Sequence, residues 1–352
     1  MKEYRIAVIP GDGIGNEVAP EGVRVLDTVS RLSGDFRMHY DYFPWGCGYY
    51  LKTGTMLPAD GLARLRQYDA IYFGAVGLPA QVPDNISLHG LLIKMRMEFD
   101  QYICLRPGIL LPGVQSPLRD RRAGDIDFVV VRENTEGEYA GAGGRCHAGT
   151  PMELAMETAL FTRAGCERTM RYAFRLAQSR RHHLINVTKS NAQRHTLTLW
   201  DECFAAVSAE FPDVATEHML VDAMAARMIL RPESVDVAVA SNLFGDILTD
   251  IGGAITGSLG LAPSANINPE RKFPSMFEPV HGSAPDIMGK GIANPVAMIW
   301  AGAMMLEFLG HPQAAERIVQ AIRSITAQHV FGRDLGGNAG TQEITDAVIQ
   351  NL

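Results

Sequence analysis

Arg5-Ile6-Ala7-Val8-Ile9-Pro10-Gly11-Asp12-Gly13-Ile14-Gly15 opens the chain with a β-branched run and a glycine turn, and residues 18–32 then take up helical patterning. A strand feeding a helix through glycines is the first unit of an α/β fold. It is also where a dinucleotide fingerprint would stand. The spacing here is G-x-G-x-G, whereas that fingerprint needs G-x-G-x-x-G. We read a tight strand-to-helix turn and no Rossmann site. The alternation recurs, with strand-like runs at 6–9, 70–73, 127–131, 184–187 and 235–240 and helical periodicity at 18–32, 88–99, 162–179 and 193–211. That pattern predicts α/β architecture with substantial parallel sheet. Gly143-Gly144 and Gly149-Thr150-Pro151 bracket an excursion, a hairpin or an arm. Residues 252–274, rich in Gly, Pro, Ser and Asn, read as a functional loop or a hinge. No linker splits the chain, as expected when one domain is inserted within another.

The 352 residues amount to two domains at roughly 150 residues each. With 47% hydrophobic and 20% charged residues, disorder and fibre are excluded. Lys and Arg number 32 against 39 Asp and Glu, a net charge of −7 that favours neither nucleic acid nor an anionic membrane as partner. The longest apolar run, 296–306, is far short of the roughly 20 residues that cross a bilayer. Cys47, Cys104, Cys146, Cys166 and Cys203 are odd in number and widely spaced, so neither a disulfide framework nor a zinc knuckle is indicated. These features point to a reducing cytoplasm. There is no G-x-S-x-G elbow for a serine hydrolase, and Trp45, Trp200 and Trp300 lie in apolar runs as core residues.

The first chemical signal is in Ser241-Asn242-Leu243-Phe244-Gly245-Asp246-Ile247-Leu248-Thr249-Asp250, which follows the run at 235–240 and patterns as a helix. Asp246 and Asp250 are four apart and share a face. Two carboxylates stacked in that way repel unless a cation sits between them, and oxygen ligands suit Mg²⁺ or Mn²⁺. The competing reading is a solvated acidic face; Ile247, Leu248 and Ile251 around the pair speak against it. Arg96, Arg106 and Arg132 stand at element ends, and arginine grips carboxylates bidentately, which suggests a dicarboxylate ligand. The stretch Glu278-Pro279-Val280-His281-Gly282-Ser283-Ala284-Pro285-Asp286-Ile287, continuing to Ala293-Asn294-Pro295, has small residues that leave backbone open to a phosphate or sugar. A purely structural loop would have the same composition.

Together these stretches resemble the β-decarboxylating, metal- and NAD-dependent dehydrogenases of 2-hydroxy acids, the isocitrate/isopropylmalate dehydrogenase family. Arg132-Glu133-Asn134-Thr135-Glu136-Gly137-Glu138-Tyr139, residues 242–250 and residues 281–287, in that order, carry the resemblance, which spans residues 9–341. It implies an isopropylmalate dehydrogenase-like, non-Rossmann fold of two α/β domains with a central mixed sheet. Residues 1–102 plus 256–352 would form the cofactor domain; residues 103–255 would form an inserted domain with a dimerisation arm. Arg96, Arg106 and Arg132 would clamp the substrate carboxylates. Asp222, Asp246 and Asp250 would hold Mn²⁺ or Mg²⁺, with Lys189 as base on the C2 hydroxyl and Tyr139 as the acid. In the family, the positions of Asp222 and Lys189 come from the neighbouring subunit, so the active unit would be a homodimer. His281, Gly282, Ser283, Ala284, Asp286, Ile287 and Asn294 would bind the cofactor. A carboxylate at Asp286 accepts hydrogen bonds from a ribose 2′-hydroxyl and repels a 2′-phosphate, which selects NAD.

Substrate choice falls to Ser87-Leu88-His89-Gly90-Leu91-Leu92. Isocitrate enzymes present Ser and Asn where this chain has Gly90 and Leu92, so a third carboxylate would go unpaired. Isopropylmalate enzymes have an acid at the position of His89, although Leu92 could touch an alkyl group. The string, together with Glu98-Phe99-Asp100-Gln101-Tyr102 and Asn266-Ile267-Asn268-Pro269-Glu270-Arg271, most resembles the branch acting on tartrate and on D-malate, the latter giving pyruvate, CO₂ and NADH. That branch also implies help from K⁺. The runner-up is a 3-isopropylmalate dehydrogenase. A non-catalytic regulatory subunit on the same fold is remote, because such paralogues lose acidic or base positions that this chain keeps.

Overall fold

A computed structural model describes Met1–Leu352. The opening run becomes β1 (Lys2–Gly11) and passes into the helix Gly15–Ser33. Ile6, Ala7, Val8 and Ile9 are wholly buried, as a continuous apolar run in a strand covered on both faces should be. Gly11 and Gly13 adopt φ of 74° and 56°, and a Cβ on Gly11 would lie 1.8 Å from the Ala75 carbonyl oxygen, so only glycine fits. The buried Asp12 carboxylate accepts backbone N–H bonds from Cys47 (3.0 Å), Gly48 (3.3 Å) and Gly77 (3.0 Å). The G-x-G-x-G stretch is thus a tight structural turn, knotted by its acid.

The remaining strands are β2 (Phe36–Tyr42), β3 (Ala70–Ala75), β4 (Ile103–Ile109), β5 (Asp127–Glu133), β6 (Gly137–Cys146), β7 (Leu154–Leu160), β8 (His183–Thr188), β9 (Ala215–Leu220), β10 (Val237–Ala240), β11 (Pro263–Ile267) and β12 (Ser275–Pro279). The chain forms two compact units. One comprises Met1–Gln101, Arg106–Ile126 and Gly252–Leu352; the other comprises Tyr102–Leu105 and Asp127–Ile251.

In the first unit the strand order is β2-β1-β3-β12-β11. All pairs are parallel except β11 with β12, which makes the sheet mixed. The helix Val296–Leu309, which carries the longest apolar run, is apolar apart from the exposed Glu307 and buried along most of its length as part of the core. No helix of the protein is long and apolar enough to cross a membrane. The predicted helix at 88–99 is less regular than its periodicity suggested. A π turn, Leu88–Leu92, precedes the α-helix Ile93–Glu98. In that turn Gly90 lies against Met56, whose Cγ would be 2.6 Å from any added Cβ. The stretch 252–274 also departs from expectation. Its start completes the helix Asn242–Ile255, and its middle is β11, where Ser264 and Asn266 are fully buried. Asn266 Nδ2 donates to Glu278 Oε1 at 2.7 Å, so a polar composition that suggested solvent is satisfied internally.

The second unit has the parallel order β5-β10-β8-β9. Its helix Arg163–Gln178 begins at Thr162, whose hydroxyl accepts the Gly165 N–H at 2.9 Å. Trp200 is fully buried, and its indole N–H donates to Asn186 Oδ1 at 2.7 Å. The glycine-bracketed excursion is the antiparallel hairpin β6–β7. It leaves Met152, Leu154, Met156 and Leu160 exposed.

Candidate active site

The second unit's site is built on the first turns of Asn242–Ile255. Ala240, the last residue of β10, pairs with Arg132 on β5, so the helix that follows starts beside the arginine. Gly245 makes room for it: a Cβ there would lie 2.6 Å and 2.7 Å from Arg132 Cβ and Cγ. The guanidinium then spans one helical turn. Nε and Nη2 donate to Asn242 Oδ1 at 3.0 and 2.7 Å, and Nη1 donates to Asp246 Oδ1. Tyr139 supplies its ring, 5.4 Å from the guanidinium carbon, and its hydroxyl, which donates to Asp246 Oδ2 at 3.1 Å. Arg132, Tyr139 and Asp246 are therefore brought together. Asp250 follows one turn later and is exposed. The expected apolar surround is one-sided, because Leu248 is buried while Ile247, rotated to the other side of the helix, is 52% exposed.

The acids between Arg132 and Tyr139, which sequence reasoning passed over, hold this arrangement. Glu138 accepts from Ser241 Oγ (3.1 Å) and Leu243 N (3.2 Å), covering the N-terminus of the helix that carries Asp246. Glu136 accepts the Thr162 N–H and O–H at 2.8 and 2.6 Å. Glu133 accepts from Thr135 N, Thr135 Oγ1 and Glu136 N at 2.8, 3.0 and 2.9 Å. Burial nevertheless pushes its carboxyl up to about 7. The missed signal was an acid at nearly every second position directly after a buried strand.

Lys189, after β8, and Asp222, in the first turn of Val221–Leu230, pair with each other at 2.7 Å, and the ammonium holds the Asp222 carboxyl below its ordinary range. Neither bonds to Arg132, Tyr139 or Asp246. No three acids, histidines or cysteines of a single chain are grouped to hold a metal. Asp246 and Asp250 offer the hard carboxylate oxygens that Mg²⁺ or Mn²⁺ prefers, but a full ligand set needs a further donor.

In the first unit, Arg96 lies on Ile93–Glu98, buried and ion-paired at 2.8 Å with Glu278, an acid on β12 that sequence reasoning left without a role. Its Nε is buried without an acceptor, a donor that a carboxylate ligand would satisfy. Arg106, on β4, is also buried, and Leu92 in the π turn is half-buried. The 281–287 loop docks on the glycine turn backbone to backbone. Ile14 N donates to Ser283 O at 2.8 Å, and a Cβ on Gly13 would lie 1.9 Å from that oxygen. Glu17 fixes the loop's far end by accepting Gly289 N (2.6 Å) and Gly291 N (2.9 Å). Burial holds the His281 imidazole below its ordinary range and so neutral at pH 7. Nδ1 donates to Gly282 O at 3.0 Å, which leaves Nε2 as a buried acceptor without a donor. Gly282 faces open space and Asp286 is exposed. A hydroxyl- and amine-bearing group such as a nucleotide fits such a cradle. Asn294 is committed to protein partners at both ends, Asp334 Oδ2 (3.0 Å) and Val296 N (3.0 Å).

An α/β chain that sets a buried arginine and a phenol against a carboxylate-bearing helix has groups that can bind a small acid and move a proton. The whole chain is similar to the crystal structure of isocitrate dehydrogenase from Methylococcus capsulatus, with a TM-score of 0.89 and 35% identity over 99% of each chain. The family model for isocitrate/isopropylmalate dehydrogenase matches residues 5–348, and the chain belongs to that family. It is 56% identical over 353 residues to a probable tartrate dehydrogenase/decarboxylase of Agrobacterium vitis, covering 100% of this chain and 98% of that one. It is 53% identical over 355 residues to the D-malate dehydrogenase (decarboxylating) of Escherichia coli K12, covering 99% and 98%. The tartrate dehydrogenase/decarboxylase of Pseudomonas putida is 51% identical over 357 residues, covering 99% and 98%. The family, the fold and the branch expected from the sequence are borne out.

Proposed function

We propose that this chain is an NAD- and divalent-metal-dependent dehydrogenase that oxidises tartrate and D-malate, decarboxylating the latter to pyruvate and CO₂. The observation that carries the reading is the grouping of Arg132 and Tyr139 against Asp246 in the first turns of the helix, in a chain more than half identical to enzymes with those names. Asp246 and Asp250, joined by Asp222 of a second copy, would hold Mn²⁺ or Mg²⁺, and the cradle of Gly282, Ser283, Ala284 and Ile287 with His281 and Asp286 would hold NAD. Asn294 would act beside them at the adenine. When bound, the cation supplies Lewis-acid polarisation of the C2 oxygen and NAD supplies the hydride acceptor.

The chain's own groups do the rest. Arg96, Arg106 and Arg132 would bind and orient the two carboxylates. Lys189 Nζ would take the proton from the C2 hydroxyl, and Tyr139 Oη would deliver one to C3 after CO₂ departs. Arginine could not replace Lys189, because it stays protonated. The working unit would be a homodimer in the cytoplasm, its site completed by Lys189 and Asp222 of the second copy. The exposed apolar residues of the hairpin support such pairing. A monovalent cation such as K⁺ would assist. Gly90 and Leu92 offer nothing polar to a third carboxylate, which argues against isocitrate.

A panel of D-malate, the tartrates, isocitrate and 3-isopropylmalate, read by NADH absorbance with Mn²⁺ or Mg²⁺ and with K⁺ present or absent, tests this. D-malate and a tartrate are expected to lead. A clear preference for 3-isopropylmalate would move the assignment to that dehydrogenase, and no NADH from any of them would return the regulatory subunit to contention.

A further inference from the structure

Arg132 has a buried side chain, only 3% exposed, so its charge needs partners that hold it in place. The two seen on the helix Asn242–Ile255 differ in kind. Asp246 is a charged acceptor on a side chain 36% exposed. Asn242 is neutral and 2% exposed. Its single oxygen takes both Nε and Nη2 of the fork, while its Nδ2 donates to the Glu136 carbonyl at 3.1 Å. The amide is therefore fixed at both ends, and it fixes the plane of the guanidinium in turn. An aspartate here could hold the same edge but would cancel the charge that a ligand carboxylate has to find.

We propose that Asn242 is a positioning residue for substrate recognition. It pins one edge of Arg132 without quenching its charge, so that the Nη1 side can pass from Asp246 to a carboxylate of the hydroxydiacid. This rests on the function proposed above. It differs from a helix-capping role in one respect: its effect on ligand affinity has to run through Arg132.

A double-mutant cycle separates the two roles. D-malate is titrated calorimetrically into the full-length protein with Mn²⁺ and without NAD⁺, so that nothing turns over. Asn242→Ala and Arg132→Met are each expected to weaken D-malate by roughly 10- to 100-fold, with NAD⁺ affinity unchanged. The double variant should bind as Arg132→Met does, within about twofold. Losses that multiply across the cycle would overturn the proposal, as would wild-type D-malate affinity in Asn242→Ala. Should Asn242→Ala not fold, Asn242→Asp keeps the acceptor and is expected to fold but to lose D-malate affinity to a similar extent; wild-type affinity in it overturns the proposal equally. If the unmodified protein binds no D-malate with Mn²⁺, the functional reading itself fails and takes the positioning role with it. Wild-type affinity in Asn242→Ala or Asn242→Asp removes the positioning role alone.

Discussion

Gly245→Ala is the smallest change that should reach the site. An added methyl would lie 2.6 Å from Arg132 Cβ, 2.7 Å from Cγ and 3.2 Å from Cδ. Carbon atoms settle at about 3.5–4.0 Å, so the stem has to retreat by about 1 Å. Arg132 Cβ cannot retreat with its backbone, which is held in register on β10 through the pairing with Ala240. The shift is passed along the side chain to the guanidinium, whose bonds to Asn242 are already set at 3.0 and 2.7 Å. For stability, alanine in a helix gains about 1 kcal/mol over glycine, and overpacking costs about 1–3 kcal/mol. The net destabilisation is therefore small, about 0–2 kcal/mol. Recognition should suffer more, because a misplacement of about 1 Å in a clamping group costs about 100-fold. The expected result is a modestly lowered melting temperature, a D-malate KM raised by tens-fold or more and an unchanged NAD⁺ KM. Gly48→Ala, at an exposed glycine of the helix Cys47–Thr53 where an added Cβ meets nothing within 4 Å, is the neutral control. Gly245→Ala with an unchanged D-malate KM and a raised melting temperature would refute the steric argument.

Glu133 makes a pH prediction. Its carboxyl, ordinarily near 4.5, is pushed up to about 7 by burial, so the folded protein keeps a proton that the unfolded chain releases. The stability this contributes is full below about 4.5 and disappears as pH rises through about 7, on the order of 3 kcal/mol at 1.36 kcal/mol per pKa unit. Relative to Glu133→Gln, the wild-type melting temperature should fall between pH 5 and pH 8; parallel curves would count against the assignment. Lys189→Ala should lower kcat by about 10²- to 10⁴-fold with NAD⁺ affinity unchanged, and wild-type turnover would remove Lys189 as base. Asp286→Lys should shift the NAD⁺ to NADP⁺ preference in kcat/KM by roughly 10- to 100-fold toward NADP⁺; an unmoved ratio would place the 2′ position elsewhere.

Local features were legible in the sequence and remote contacts were not. The β-branched runs, the Asp246/Asp250 spacing and the glycine-bracketed hairpin each depend on neighbours within a few residues. Asn242 meets Arg132 across 110 positions, and Glu278 meets Arg96 across 182. No spacing rule reaches that far. Composition also misled where polar residues satisfy one another inside the protein, as Asn266 and Glu278 do in the segment that read as a loop.

The acids show what decides between a structural and a functional carboxylate. Asp12, Glu17, Glu133 and Glu138 look no different from Asp246 in sequence. All four accept from backbone N–H groups, which cannot leave without unmaking a turn or a helix end, so these acids are committed to the fold. The donors seen on Asp246 are of another kind, a guanidinium and a phenol at the ends of side chains, and side-chain donors can turn to a ligand at the cost of a rotamer change. On the proposed reading, the carboxylate held by side-chain donors and the arginine held by a neutral amide are where a ligand would enter.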